Sequence, residues 1–328
     1  KYFLPLATFA IVAILLTGPI AGSLMLSNYR DALMGMHSPV RNSLDLLSLF
    51  IPGKNWLFSQ WTQFFWSKIT GGINENSVYL GISVYVLLGY VWIKRKTLEL
   101  IIKQQIYLWF ITIGFFFLLA LGPAFKVWGK IIWDKVMPYT LMVKVLPFLG
   151  LSGMPVRMVV MVIFGASVLS AIGFRELFRQ FPHKKFFTLL LLAVLLFETL
   201  QKPLPATRIE VPDYITALVS LPNDGGVIDL VTNNEFLTLY YQTIHGKPIT
   251  GGYISRIPTS VYDEGHALSK SINNQDYGKL WVTYHIRYII THDTLQAQAA
   301  QPYITIEAVY DHNDIRIYRI GCECEVTK

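Results

Sequence analysis

From Tyr2 to Leu26 the chain carries no charged residue. A helix needs about 20 mostly apolar residues to cross the hydrocarbon of a bilayer, so this run is long enough for one crossing. Pro5 and the Gly18-Pro19 pair interrupt it, and a lipid-embedded helix tolerates such breaks because neighbouring groups re-satisfy the freed backbone. Four further runs follow, at Ser77–Ile93, Gln104–Leu121, Pro155–Phe174 and Phe186–Leu200. The last is the shortest and gains length if Lys184 and Lys185 snorkel to the interface. These runs predict an α-helical integral membrane region of about five spans with interfacial helices over residues 1–202. A mixed α/β soluble domain is predicted over 203–328.

The charge distribution agrees with that partition. Charged residues make up 15% of the 328 and hydrophobic ones 53%, against about 25% charged in an ordinary soluble domain; the mean hydropathy is +0.42. Residues 1–202 hold 19 Lys/Arg against 7 Asp/Glu, and residues 203–328 hold 9 against 14. The cations gather beside the apolar runs, where anionic head groups attract them. A nucleic-acid binder would collect them on a soluble face, so no nucleic-acid partner is expected and the bilayer is.

Orientation is read from short basic connections, which stay on the cytoplasmic side. Lys94–Lys103 holds four basic residues in ten positions and Arg175–Lys185 four in eleven, whereas Ser27–Asn76 holds four in fifty. The two basic turns are therefore expected inside. That puts the long loops 27–76 and 122–154 outside the plasma membrane, together with the domain after Lys202-Pro203-Leu204-Pro205. The 122–154 loop is itself basic, with Lys126, Lys130, Lys135 and Lys144; its Trp128, Trp133 and Tyr139 suit an interfacial, partly helical segment. In the 27–76 loop, Trp56, Trp61, Phe64, Phe65 and Trp66 have the density of an aromatic belt. The chain starts at Lys1 and enters a span at once without a small-residue cleavage site, so it reads as incomplete at its N-terminus.

In the soluble part, Gly226–Val231 reads as a buried strand, and Asn234–His245 has the apolar spacing of a helix capped by Asn233 or Asn234. Tyr277–His285 reads as a second helix and Arg287–Thr291 as a strand. Tyr303–Tyr310 and Ile315–Ile320 alternate as strands about the turn Asp311–Asp314. Cys322 and Cys324, the two cysteines of the chain, read as incidental thiols in a frayed tail, with no disulfide framework.

Three groups of residues could carry chemistry. The run from Tyr240 to Arg256 places Tyr241, Gln242, His245, Lys247, Tyr253 and Arg256 around three glycines. That is the inventory for a sugar or phosphate, with planar faces and donors for oxygens; its structural alternative is a helix C-cap at Gly246 followed by a Gly-Gly bend. At the mouth of the fourth run, Arg157, with Lys144, Arg41 and His37, could grip a lipid phosphate or simply anchor the span. Among acids, Asp31, Asp45, Asp134, Asp263 and Glu264, Asp45 stands out as the weak catalytic candidate. It lies in the apolar Ser43–Leu47 stretch, where a low dielectric would raise its pKa toward that of a general base, or where it serves as an N-terminal helix charge. Asp263–His266 and His292-Asp293 have no recognised metal spacing, so no metal site is expected and a divalent ion is unsupported. No phosphate-binding loop, nucleophile elbow or dinucleotide fingerprint occurs, and no cofactor is implied.

Asn42-Ser43-Leu44-Asp45-Leu46-Leu47-Ser48-Leu49-Phe50-Ile51-Pro52, Leu121-Gly122-Pro123 with Pro155-Val156-Arg157, and His245–Pro248 with Gly251–Arg256 together resemble patterns in bacterial and archaeal membrane proteins, YfhO-like ones included. Those proteins are grouped with the multi-spanning C-type glycosyltransferases. The resemblance spans nearly the whole chain and implies a membrane protein of cell-envelope glycan assembly. It would take a sugar from a polyprenyl-phosphate-linked carrier on the outer face and pass it to a glycan or protein acceptor. The catalytic acid of that superfamily lies in the first outer loop of full-length members, and no position here is matched to it. The alternative is a non-catalytic scaffold or glycan-binding protein of envelope polysaccharide assembly. A transporter is a third reading, weakened by the near absence of charge within the runs beyond Glu198.

Overall fold

The computed structural model describes residues 3–69, 72–180, 184–203, 208–296 and 301–322. The chain opens with α1 (Phe3–Arg30), the short strand β1 (Leu33–Gly35), a series of 3-10 turns and the single-turn α2 (Gln63–Trp66). Next come α3 (Ile82–Lys94) and α4 (Leu100–Ala120), joined by the basic turn. The hairpin β2 (Phe125–Val127) and β3 (Lys130–Trp133) leads to α5 (Pro138–Val145), α6 (Val159–Gln180) and α7 (Lys184–Thr199). Among the described residues, three helical stretches are long and apolar enough to cross a membrane: Ala7–Arg30, Leu100–Ala120 and Pro155–Arg179. The second and fifth runs form helices of 13 and 16 residues.

The chain divides into two compact units, residues 35–205 and residues 1–34 with 206–328. In the first, α6 packs against both α3 and α4, and Val91, Ile106 and Leu169 form the buried seam. Small residues on α6 permit the close approach, as in membrane helix pairs generally. A Cβ at Gly165 would meet Ile113 at 2.8 Å, and one at Gly173 would meet Val91 at 2.8 Å and the Leu87 carbonyl at 3.0 Å. The N-terminus of α3 is preceded by Gly81, which has no side chain to cap it; Glu198 of α7 does so instead. The Glu198 Oε1 accepts from Ile82 N at 2.8 Å and from Ser83 N at 3.3 Å, and its Oε2 accepts from the Ser83 hydroxyl.

The 122–154 segment departs from its reading as an interfacial, partly helical stretch. It has the helical part in α5, but it begins with an antiparallel hairpin, Phe125–Trp133. The two turn residues Trp128 and Gly129 both lie in the left-handed region, at φ 57° and 73°. A two-residue hairpin turn demands this geometry, and tryptophan at the first position hides it from the sequence.

The second unit carries α8 (Asp213–Ser220), β4 (Gly226–Asp229), α9 (Glu235–His245), β5 (Arg256–Pro258), α10 (Thr259–Asn273), α11 (Tyr277–Val282), β6 (Ile286–Thr291), β7 (Ile304–His312) and β8 (Ile315–Cys322). A four-stranded sheet runs in the order β4-β6-β8-β7. β4 is parallel to β6, and the remaining pairs are antiparallel. Alternating strand side chains feed two cores. Val227, Tyr288 and Ile317 join Ile215 and Leu218 of α8 and Tyr241 of α9 in one, while Ile228, Ile289 and Ile320 join Tyr277 and Leu280 of α11 in the other. Helices thus cover both sheet faces. Both expected helices are present, the second ending at Val282 instead of His285, with the expected strands and closing hairpin; α8, β5 and α10 are additions. Asn313 and Asp314 turn the hairpin at φ 51° and 61°. At the far end of α1, Asp31 accepts from the Ser260 backbone N–H at 3.2 Å and from its hydroxyl. Cys322 corrects the reading of incidental tail thiols, since it packs into the second core and is disulfide-bonded; Cys324 lies outside the described residues.

Candidate functional site

Two of the sequence strings that are far apart in the chain converge at the N-terminal end of α6. Asn42 N–H donates to the Ser38 carbonyl, and the Asn42 side-chain amide reaches the Gly153 carbonyl at 3.3 Å. Val156 N–H donates to the Asn42 carbonyl at 3.2 Å, and Leu44 N–H to the Ala120 carbonyl at 3.0 Å. Asn42, Ser43, Leu44, Asp45, Leu121 and Val156 are all buried. The crossing is tight enough to require glycine at Gly122, φ 65°, where a Cβ would fall 2.3 Å from the Ser43 hydroxyl. Gly153, φ 58°, closes the turn before α6, and a Cβ there would lie 2.2 Å from the His37 carbonyl.

This knot brings the backbones of several basic residues close together. Arg41 immediately precedes Asn42 and Arg157 immediately follows Val156, and both are exposed. Half-buried His37 packs against Gly153. Lys126, which the sequence did not single out as a site residue, is only 5% exposed, and its ammonium donates to the Arg41 carbonyl at 2.9 Å. Burial lowers the pKa of Lys126 from its ordinary value; Asp45 opposes that shift and Arg41 adds to it. Lys144 lies apart in sequence from the knot, exposed on the last turn of α5. The arrangement can hold an anion of head-group size beside the end of an apolar helix.

Asp45 is 1% exposed. Its Oδ1 accepts from Leu47 N at 3.0 Å and Trp128 N at 3.2 Å, and its Oδ2 from Gly129 N at 2.6 Å. The carboxylate therefore caps the 3-10 turn Leu46–Leu49 and holds the β2–β3 turn in its left-handed conformation. A separate apolar cavity of about 680 Å³ in the same unit is lined by Phe50, Trp56, Val86, Leu191 and Phe197, with the capping carboxylate of Glu198 at its wall.

The residues predicted for a sugar or acceptor lie in the other unit and do not form one cluster. Lys247 is 1% exposed; its ammonium donates to the Leu221 carbonyl at 2.8 Å and sits 5.8 Å from the Tyr288 ring centroid. His245, also buried, accepts at Nδ1 from Lys247 N at 3.0 Å. Gly246 takes the left-handed C-cap position at φ 69°. Buried Tyr241 donates its hydroxyl to the Glu210 carbonyl at 3.3 Å. Gln242 is half-buried on α9, and exposed Arg256 begins β5. Tyr253 is 37% exposed and lies face to face, tilted by 30°, with Phe236 at a centroid distance of 4.8 Å. Among the described residues no group of three or more His, Cys, Asp and Glu could hold a metal ion.

Comparison of the chain with protein-family models, with curated proteins and with solved structures gave no match.

Proposed function

We propose that this chain is a glycosyltransferase-like membrane protein of cell-envelope glycan assembly, handling a sugar carried on polyprenyl phosphate at the outer face of the plasma membrane. In this reading five helices, α1, α3, α4, α6 and α7, cross the bilayer with the basic turns inside, and the α/β domain lies outside the cytoplasm. Arg41, Arg157 and His37 hold the carrier phosphate, Lys144 adds positive potential, and the apolar cavity beside Trp56 takes part of the isoprenoid chain. The observation that carries it is the convergence of His37, Arg41 and Arg157 on one buried knot at the end of the apolar helix α6. A second reading, a scaffold that binds the lipid-linked sugar without transferring it, is favoured by Asp45, whose oxygens are both occupied by backbone N–H groups.

Membranes holding the protein are incubated with labelled polyprenyl-phosphate sugar. Binding that falls about tenfold in Arg157→Ala, the loss expected for one charge-assisted phosphate contact, supports the phosphate site. Transfer to an acceptor selects the enzyme, and binding without transfer selects the scaffold. If neither the native protein nor Arg157→Ala binds the carrier, the proposal falls.

A further inference from the structure

A second site lies in the α/β unit, and of the residues predicted for a sugar or acceptor it uses Tyr253 alone. A cavity of about 330 Å³ opens where β4 ends and the chain turns into α9, with the Thr250–Gly252 loop as its other wall. The carboxyl end of a parallel strand, ahead of the following helix, is where α/β folds leave room for ligands, and the volume falls in the range of small-molecule sites. Gly252 allows the loop to lie against α9: a Cβ there would meet the Leu239 side chain at 2.7 Å.

The lining is polar, and its hydrogen-bonding capacity is only partly used. Asp229 accepts from Val231 N and Thr232 N through Oδ1, both at 2.9 Å, and its Oδ2 has no hydrogen bond among the described residues. Asn234 spends its Oδ1 on capping α9, at 2.9 Å from Phe236 N, which keeps its amide as a donor. Asn233, Glu235 and Thr250 line the same space with their side chains exposed. No Lys, Arg or His lines it among the described residues. Two carboxylates without a cation repel phosphate, and the helix N-terminus that could attract one is already capped by Asn234.

An aromatic pair stands next in the chain to two of the lining residues. Phe236 follows Glu235 and is 63% exposed; Tyr253 follows Gly252 and packs against it. Exposed rings beside acceptors and amide donors match the two faces of a pyranose, whose C–H surface stacks on aromatics while its hydroxyls bond carboxylates and amides. The geometry points to a binding site for an uncharged or amine-bearing saccharide unit, held by Asp229, Asn233 and Glu235 against the Phe236–Tyr253 platform and closed to phosphorylated sugars. This assignment stands independently of the phosphate site on α6.

The test is ligand-observed NMR on the whole detergent-solubilised protein with glucose, glucosamine and glucose 1-phosphate as probes. Glucose and glucosamine should bind, and glucose 1-phosphate should bind at least about tenfold more weakly. Asp229→Asn keeps the Oδ1 acceptor for the turn and changes the free oxygen to an amide; it should weaken glucose binding about tenfold with an unchanged melting temperature. Asn233→Ala and Tyr253→Ala, on exposed side chains, should each weaken it as well. Equal or tighter binding of glucose 1-phosphate, no binding of any probe, or native-like glucose affinity in all three variants would each overturn the assignment. Failure of the polyprenyl-phosphate experiment leaves these outcomes unaffected.

Discussion

Replacing Asp45 by asparagine separates the anchoring role of this carboxylate from a catalytic one. The substitution keeps an oxygen for Leu47 N and Trp128 N, but it presents an amide N–H to Gly129 N–H, which now donates to Oδ2 at 2.6 Å. One charge-assisted bond is lost and a buried donor faces a donor. Hydrogen bonds to charged groups contribute about 1.5–3 kcal/mol, so a cost of about 2 kcal/mol is expected. Asp45→Ala removes all three acceptor contacts in a site that is 1% exposed, and about 4 kcal/mol is the corresponding figure. Thermal unfolding of the purified protein in detergent would register about 5 °C for the asparagine variant, taking about 2–4 °C per kcal/mol for a unit of this size. Limited proteolysis should open the Trp128-Gly129 turn first, because that is where the bond is broken. If Asp45→Asn melts like the native protein and its hairpin stays protected, the anchoring argument is wrong.

Gly173→Ala forces a Cβ to within 3.0 Å of the Leu87 carbonyl and 2.8 Å of Val91, so α3 and α6 must separate; a loss of about 1–3 kcal/mol, read by thermal unfolding, is expected. Glu198→Ala leaves the first turn of α3 without its acceptor and should cost about 2 kcal/mol, with Glu198→Gln recovering part of it. Burial, with the Lys247 charge second, holds the His245 pKa below its ordinary 6.5. The unfolded chain therefore binds the proton first, so this contribution to stability is complete above pH 6.5 and is lost as pH falls from there toward the lowered native value. His245→Gln should flatten that acid limb in a pH series of unfolding midpoints.

Much of the architecture was legible in the sequence because it follows from local patterns. Uncharged runs mark the apolar helices, and Asn234 ahead of a 3.6-residue repeat marks α9. The alternation on either side of Asp311–Asp314 marks the β7–β8 hairpin. The candidate sites were less legible. His245 and Lys247 look like ligand-binding groups in a string, yet the Lys247 ammonium is buried against Leu221 and Tyr288 and the His245 ring accepts from the Lys247 backbone N–H, so both are engaged within the fold. Asp229 and Asn233 carry no motif; they form a cavity lining because β4 ends beside the Thr250–Gly252 loop.

Sequence alone therefore determined which segments are apolar along their length and which are polar, since transfer free energy is a property of composition over about twenty residues; among the described residues, three of the five apolar runs form helices long enough to cross a membrane. It also marked the hairpin turn at Asp311–Asp314 and the cap of α9, but not the Trp128-Gly129 turn. The tertiary structure decided which charges are spent and which are available. Asp45 and Glu198 are both isolated acids in apolar stretches, and only the approach of Gly129 N–H to one and Ile82 N–H to the other makes them anchors. Arg41 and Arg157 are more than a hundred positions apart, and the Asn42–Val156 hydrogen bond brings their backbones side by side. Side-chain function depends on partners supplied from distant parts of the chain, and a pattern read along one strand of sequence does not contain them.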